Sequence, residues 1–185
     1  EGLIMFQGFS NTLDNQVVFG DQVVFANTRG FAGSPGLVVQ TKQCGLLFQI
    51  GDDAVFANNT DAGDNSGFFD GRLGFNSNVT VMIGANASFV NNTGGFEGGV
   101  FGFEVFENTH LQLIVGPNAL FDGNQGLGGE FHTLAGGVLD IDVGSGSAVL
   151  VQMTNATFQN NAGTGAGVIK VNVTDTANSS CVLQL

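Results

Sequence analysis

Apolar residues in this chain alternate with polar or variable ones at a period of two, in short runs that themselves recur. Ala54-Val55-Phe56, Ala87-Ser88-Phe89, Ala119-Leu120-Phe121 and Ala156-Thr157-Phe158 each set a small and a large apolar residue around a variable one. A strand sends such residues to one face, whereas a helix needs spacings of three and four. A second run, rich in β-branched residues, precedes each unit: Leu46-Leu47-Phe48-Gln49-Ile50, Val79-Thr80-Val81-Met82-Ile83, Leu111-Gln112-Leu113-Ile114-Val115 and Val149-Leu150-Val151-Gln152-Met153. A third follows a glycine corner, as in Gly98-Gly99-Val100-Phe101-Gly102-Phe103, Gly136-Gly137-Val138-Leu139-Asp140-Ile141 and Gly165-Ala166-Gly167-Val168-Ile169.

The units repeat along the chain: Phe25, Phe56, Phe89, Phe121 and Phe158 fall about 31, 33, 32 and 37 residues apart, the period range of solenoids. Three short strands per repeat, broken by glycine corners, predict an all-β fold, a single-stranded parallel β-helix (β-solenoid). Residues 1–185 then form one solenoid segment of five to six coils, about 32 residues per coil, with those phenylalanines stacked inside. The chain opens at Glu1 without a signal-peptide pattern, and Cys181-Val182-Leu183-Gln184-Leu185 aligns with the run before the next corner with no polar cap after it. The expectation is a processed or excised piece of a longer chain or of a stacked assembly.

Composition narrows the partners. Thirty glycines suit corners, and 18 phenylalanines with no tyrosine or tryptophan supply stackable, purely apolar bulk. A net charge of −12 with four basic residues excludes nucleic-acid partners and anionic membrane surfaces. No stretch reaches the roughly 18 apolar residues of a membrane span, so no membrane insertion of this segment is expected. Cys44 and Cys181 fall in nearly the same column about four coils apart, or on the order of 19 Å at ~4.8 Å per coil. That is far beyond the ~7 Å limit between bridged Cα atoms, so they are not expected to pair with each other.

Asparagine recurs on two registers after each phenylalanine. Asn59, Asn92, Asn124 and Asn161 occupy the position of an inward ladder that satisfies backbone groups, and Asn27, Asn58, Asn91 and Asn160, one residue earlier, face solvent. Seven asparagines begin Asn-x-Ser/Thr acceptors for N-linked glycans: Asn58, Asn78, Asn86, Asn91, Asn155, Asn172 and Asn178. Asn58 and Asn91 share one repeat position, and Asn86 and Asn155 another. Turn composition alone also produces such triplets. If sugar is attached, the protein is secreted and eukaryotic, with glycans in columns along the solenoid; Asn58 and Asn91 are the first candidates, then Asn86 and Asn155.

The Phe-x-x-Asn units Phe56 to Asn59, Phe89 to Asn92, Phe121 to Asn124 and Phe158 to Asn161, together with Gly98-Gly99-Val100-Phe101 and Gly136-Gly137-Val138-Leu139, resemble the repeat pair of the polymorphic outer membrane protein family of chlamydiae. They are similar also to β-helix repeats on many microbial and algal surface proteins. The resemblance covers roughly residues 50 to 170 and departs in the opening coil, where Thr28 takes the asparagine position. It implies a surface-exposed, adhesive role, here on an algal or other eukaryotic microbial glycoprotein.

Catalytic signals are sparse. Asp52-Asp53 and Asp61-Ala62-Gly63-Asp64 offer paired carboxylates or cation ligands, with Asp53 and Asp64 able to meet on one coil. Asp21 and Asp52 are more simply the polar turn residue of the repeat. His110 and His132 have no second ligand at metal spacing, no nucleophile elbow is present, and Arg29, Lys42, Arg72 and Lys170 are scattered. No catalytic, cofactor or metal residue is therefore assigned. The function read from the sequence is a non-enzymatic extracellular or cell-surface structural or adhesive glycoprotein, stacked end to end with other copies or adjoining solenoid segments in a filament or stalk. The alternative is a carbohydrate-active enzyme of the pectin-lyase-like shape, which would need a cleft lined by several carboxylates plus Arg or Lys on one face. The regularity of the repeats leads to the expectation that no such departure exists.

Overall fold

The computed structural model describes residues 4–9, 15–30, 36–61, 63, 65–128, 134–174 and 178–185. Among them every strand is parallel to its neighbours in one of four sheets, stacked as a solenoid of about 5 turns with roughly 32 residues per turn. Sheet A holds Ile4–Phe9, Leu37–Lys42, Phe69–Gly74, Phe101–Val105, Leu139–Val143 and Ile169–Val173. Sheet B holds Asn15–Phe19, Gly45–Ile50, Asn78–Ile83, His110–Val115, Ala148–Met153 and Ser180–Gln184. Sheet C is built from three-residue strands, Val24–Ala26, Val55–Ala57, Ser88–Val90, Leu120–Asp122 and Thr157–Gln159. Sheet D, which the alternation did not predict, pairs the two-residue strands Arg29–Gly30, Thr60–Asp61, Thr93–Gly94, Gln125–Gly126 and Ala162–Gly163. Each coil passes from A through B and C to D.

The period-two runs fill the interior. In sheet C, Phe25, Phe56, Phe89, Phe121 and Phe158 lie in register, with ring centroids 5.6, 4.6, 4.6 and 4.9 Å apart and planes within 8° of parallel. The middle three are fully buried, and Ala54, Ala87 and Ala119 lie beside them as expected. Sheet B contributes inward triplets such as Val79, Val81, Ile83 and Leu111, Leu113, Val115, and sheet A contributes Phe101, Phe103 and Val105.

Two polar ladders run through this core. Asn59 Nδ2 donates to Asn92 Oδ1 at 2.9 Å and to Phe25 O at 3.0 Å, while Asn59 N–H donates to the same Asn92 oxygen. The pattern repeats from Asn92 to Asn124 and from Asn124 to Asn161. Thr28 ends the ladder by donating its hydroxyl to Asn59 Oδ1 at 2.7 Å. Every polar atom of these amides is thus met inside the protein, which permits full burial of Asn59, Asn92 and Asn124. The second ladder, not anticipated from the sequence, links Cys44 N–H to Ser77 Oγ, Ser77 N–H to Thr109 Oγ1 and Thr109 N–H to Ser147 Oγ at the corner before sheet B. Both cysteines are unbridged, in keeping with the distance argument. Cys181 is in register with Val149 inside its strand, whereas Cys44 precedes its own, so the two lie in nearby columns and not in one.

Candidate functional site

The outer surface carries two groupings of chemical interest. The first is the sequon asparagines, all seven of which are exposed: Asn58, Asn78, Asn86, Asn91, Asn155, Asn172 and Asn178. Asn58 and Asn91 occupy the turn between sheets C and D with φ of 55° and 53°; Asn86 and Asn155 occupy the corner between B and C with φ of 57° and 51°. These are left-handed positions, which asparagine tolerates better than most residues. The same columns hold Asn27, Gly123 and Asn160, and Gln22, Asp53 and Asn118, all at positive φ. The shared register of the four acceptors therefore has a backbone cause independent of sugar. What the backbone does not dictate is the hydroxyl two residues on: Thr60 and Thr93 stand where Arg29, Gln125 and Ala162 stand in other coils, and Ser88 and Thr157 where Val24, Val55 and Leu120 do.

Side-chain amides link the corner column outside as they do inside. Asn155 Nδ2 donates to Asn118 Oδ1 at 2.7 Å, Asn118 Nδ2 to Asn86 Oδ1 at 3.3 Å and Asn86 Nδ2 to Asp53 Oδ1 at 3.1 Å. A glycosylated asparagine retains one N–H, so the ladder and a glycan are compatible. In the C–D turn, Asp122 accepts from Asn160 and Gln159, and these bonds hold its carboxyl below the usual range.

The second grouping lies on the outer face of sheet A. Val38, Asp70, Gly102, Asp140 and Lys170 form one outward column, and Gln40, Arg72, Glu104, Asp142 and Asn172 form the next. Arg72 pairs with Glu104 at 3.2 Å, and Lys170 grips both oxygens of Asp140 at 3.0 and 3.2 Å. Glu97, in the corner between sheets D and A, lays its carboxyl against Gly102, in the column between Asp70 and Asp140. Burial, reinforced by Asp70, Glu104 and Asp140, pushes the Glu97 carboxyl up to about 9. Burial also raises Asp70, to about 6, against the pull of Arg72, and raises Asp140 against the pull of Lys170.

Several carboxylates do share one face with Arg and Lys here, a gathering that the regular repeats did not lead one to expect. Two of the four bases scattered in sequence, Arg72 and Lys170, are brought among these carboxylates by the register of sheet A, whereas Arg29 lies in sheet D and Lys42, at the end of its sheet A strand, lies over the Phe75 ring. Asp70 and Asp140 are each only 5% exposed, however, so the cluster can exchange and share protons but offers no open approach to a polymeric glycan. The sequence did hold a signal: aligning the third run on its glycines puts Asp70 and Asp140 in one column, although nothing in the spacing places Glu97 there.

The carboxylates singled out from the sequence serve turns instead. Asp21 Oδ1 accepts the Asp52 N–H at 2.9 Å, Asp52 Oδ1 accepts the Ala85 N–H at 2.7 Å, and buried Asp61 accepts from the Gly63 and Asn65 N–H groups. Asp64 and His132 lie outside the described residues. His110 is exposed at the start of its strand, and no group of three or more His, Cys, Asp or Glu among the described residues is arranged to hold a metal ion. In comparisons with known proteins, no family model, no curated protein and no solved structure matches this chain.

Proposed function

We propose that this chain is a non-enzymatic structural or adhesive segment of an extracellular, surface-displayed glycoprotein. Its work is to be a stiff, sugar-decorated rod. The observation that carries the reading is the sorting of its asparagines: every sequon asparagine is on the outside, while asparagines one residue further along are sealed in the core. The resemblance to microbial surface β-helix repeats supports the same role. The axial partner is an adjoining solenoid segment or another copy, continuing the four sheets coil on coil, and the negative charge together with glycans disfavours side-by-side clumping. Intact mass of native material before and after enzymatic deglycosylation tests it. A fall by several glycan masses, mapped first to Asn58 and Asn91, is the expected result; unchanged mass with every sequon bare ends the eukaryotic secreted reading and puts a bacterial adhesin first.

A second reading, a carbohydrate-active enzyme of the pectin-lyase-like shape, has one observation in its favour, the acidic face of sheet A with Arg72 and Lys170. Release of new chain ends from pectic or neutral polysaccharides, abolished by Asp70→Asn, would establish it.

A further inference from the structure

A glycine in the outward column of sheet A leaves a gap that a side chain from outside the sheet fills. Gly102 stands in register between Asp70 and Asp140, and a methyl group placed on it would collide with the Cβ and carboxyl of Glu97. Glu97 thus completes a run of carboxyl groups on successive coils, about 4.8 Å apart. The charged groups that bear on Glu97 are Asp70 and Arg72 from one sheet A strand, Glu104 from the next and Asp140 from the third; Asp61 of sheet D bears on Asp70, and Asp142 and Lys170 bear on Asp140. Both cations are engaged, Arg72 on Glu104 and Lys170 on Asp140. Neither is directed at Glu97, whose Oε2 is shut off from solvent and has no hydrogen-bond partner among the described residues. Glu97 Oε2 and Asp70 Oδ1 are both buried in this column, and two carboxyl groups shut off together from water cannot both ionise at ordinary cost, so a proton is retained.

We propose that Glu97 is a proton-operated latch: as a neutral acid it lies in the Gly102 gap beside Asp70, closing the outer face of sheet A, and when ionised it swings into solvent and bares Asp70 and Asp140. The latch makes this an acid-favouring fold. Because Glu97 and Asp70 are raised to about 9 and about 6, the folded chain holds protons that the unfolded chain has released. Stability is therefore full below the ordinary carboxylate range near pH ~4 and falls as pH rises towards ~9, by up to about tenfold in the folding constant per pH unit for each proton retained.

Carboxyl-carbon NMR of the 185-residue chain, titrated alongside denaturation at acid, neutral and alkaline pH, tests it. The Glu97 resonance is expected to titrate far above its ordinary range. Glu97→Gln, a neutral donor of the same shape, is expected to flatten the alkaline loss of stability. Gly102→Ala is expected to expel the carboxyl and return Glu97 to an ordinary midpoint in a chain that still shows its sheet signature; if that variant fails to fold, the Glu97→Gln stability profile decides. A wild-type Glu97 that titrates like an exposed glutamate overturns the latch, as does a Glu97→Gln profile parallel to wild type.

Discussion

At the residue scale, one step along the chain separates asparagines with opposite duties. Asn91 is exposed at φ 53°, so its worth lies in tolerating a left-handed backbone. Asn92 is fully buried and makes bonds to the coils on both sides. Asn92→Ala strips Phe56 O and the Asn59 amides of their partners inside the core. At roughly 1–3 kcal/mol per buried group left unmet, a loss on the order of 3–5 kcal/mol is expected in urea denaturation. Asn91→Gly should be nearly neutral, and Asn91→Ala should cost about 1 kcal/mol from the strained backbone alone. Equal losses at the two positions would contradict this division. The inward and outward columns were legible in the sequence because they differ by one position against a fixed Phe. The positive φ was not, and it supplies a reason for the sequon register that has nothing to do with sugar.

At the scale of elements, alternation reports burial faithfully where a strand is long enough to alternate. Phe89 lies 4.6 Å from both Phe56 and Phe121, with no exposure, and Phe89→Ala should cost about 3–5 kcal/mol, read from the denaturation midpoint. Sheet D escaped notice because two residues carry no period, and its strands, Arg-Gly, Thr-Asp, Thr-Gly, Gln-Gly and Ala-Gly, share no more than a second-position glycine in four of the five. The acidic face of sheet A was half legible: Asp70, Glu104, Asp140 and Asp142 are outward positions of recognisable runs, but Glu97 reaches its column through space from a corner. That face makes a test of charge pairing. Lys170→Met removes the cation that grips Asp140, whose carboxyl burial already raises, so the raised value climbs further. Above it the buried charge goes unmatched and roughly 1–3 kcal/mol should be lost; once acid protonates Asp140 in both folded and unfolded chains, the difference should vanish. A loss independent of pH would mean that the Lys170 stem acts by packing alone.

At the scale of the whole molecule, each coil touches only the coils before and after it, so stability is a sum along one axis. Inward positions fully buried mid-stack, such as Val151, continue in register to Leu183, which is 42% exposed. Wherever a stack of coils is interrupted, the unmet contacts are therefore axial: strand edges together with inward side chains, the arrangement that templates further pairing. Because the two ends of a solenoid present different halves of the same coil contact, joining them is heterologous and propagates rather than closing into a dimer. The chain carries a formal net charge of −12, so copies brought side by side repel. The expectation for this 185-residue chain is that its mass in size exclusion with light scattering rises with concentration, and that Leu183→Lys, which sets a charge in the terminal core column, keeps it at monomer mass. Amide exchange should then be slowest around Phe56, Phe89 and Phe121 and faster towards both ends in Leu183→Lys than in the assembled wild type. A wild-type chain that runs as a sharp monomer at every concentration would refute axial assembly of copies, leaving an adjoining solenoid segment as the axial partner to be sought.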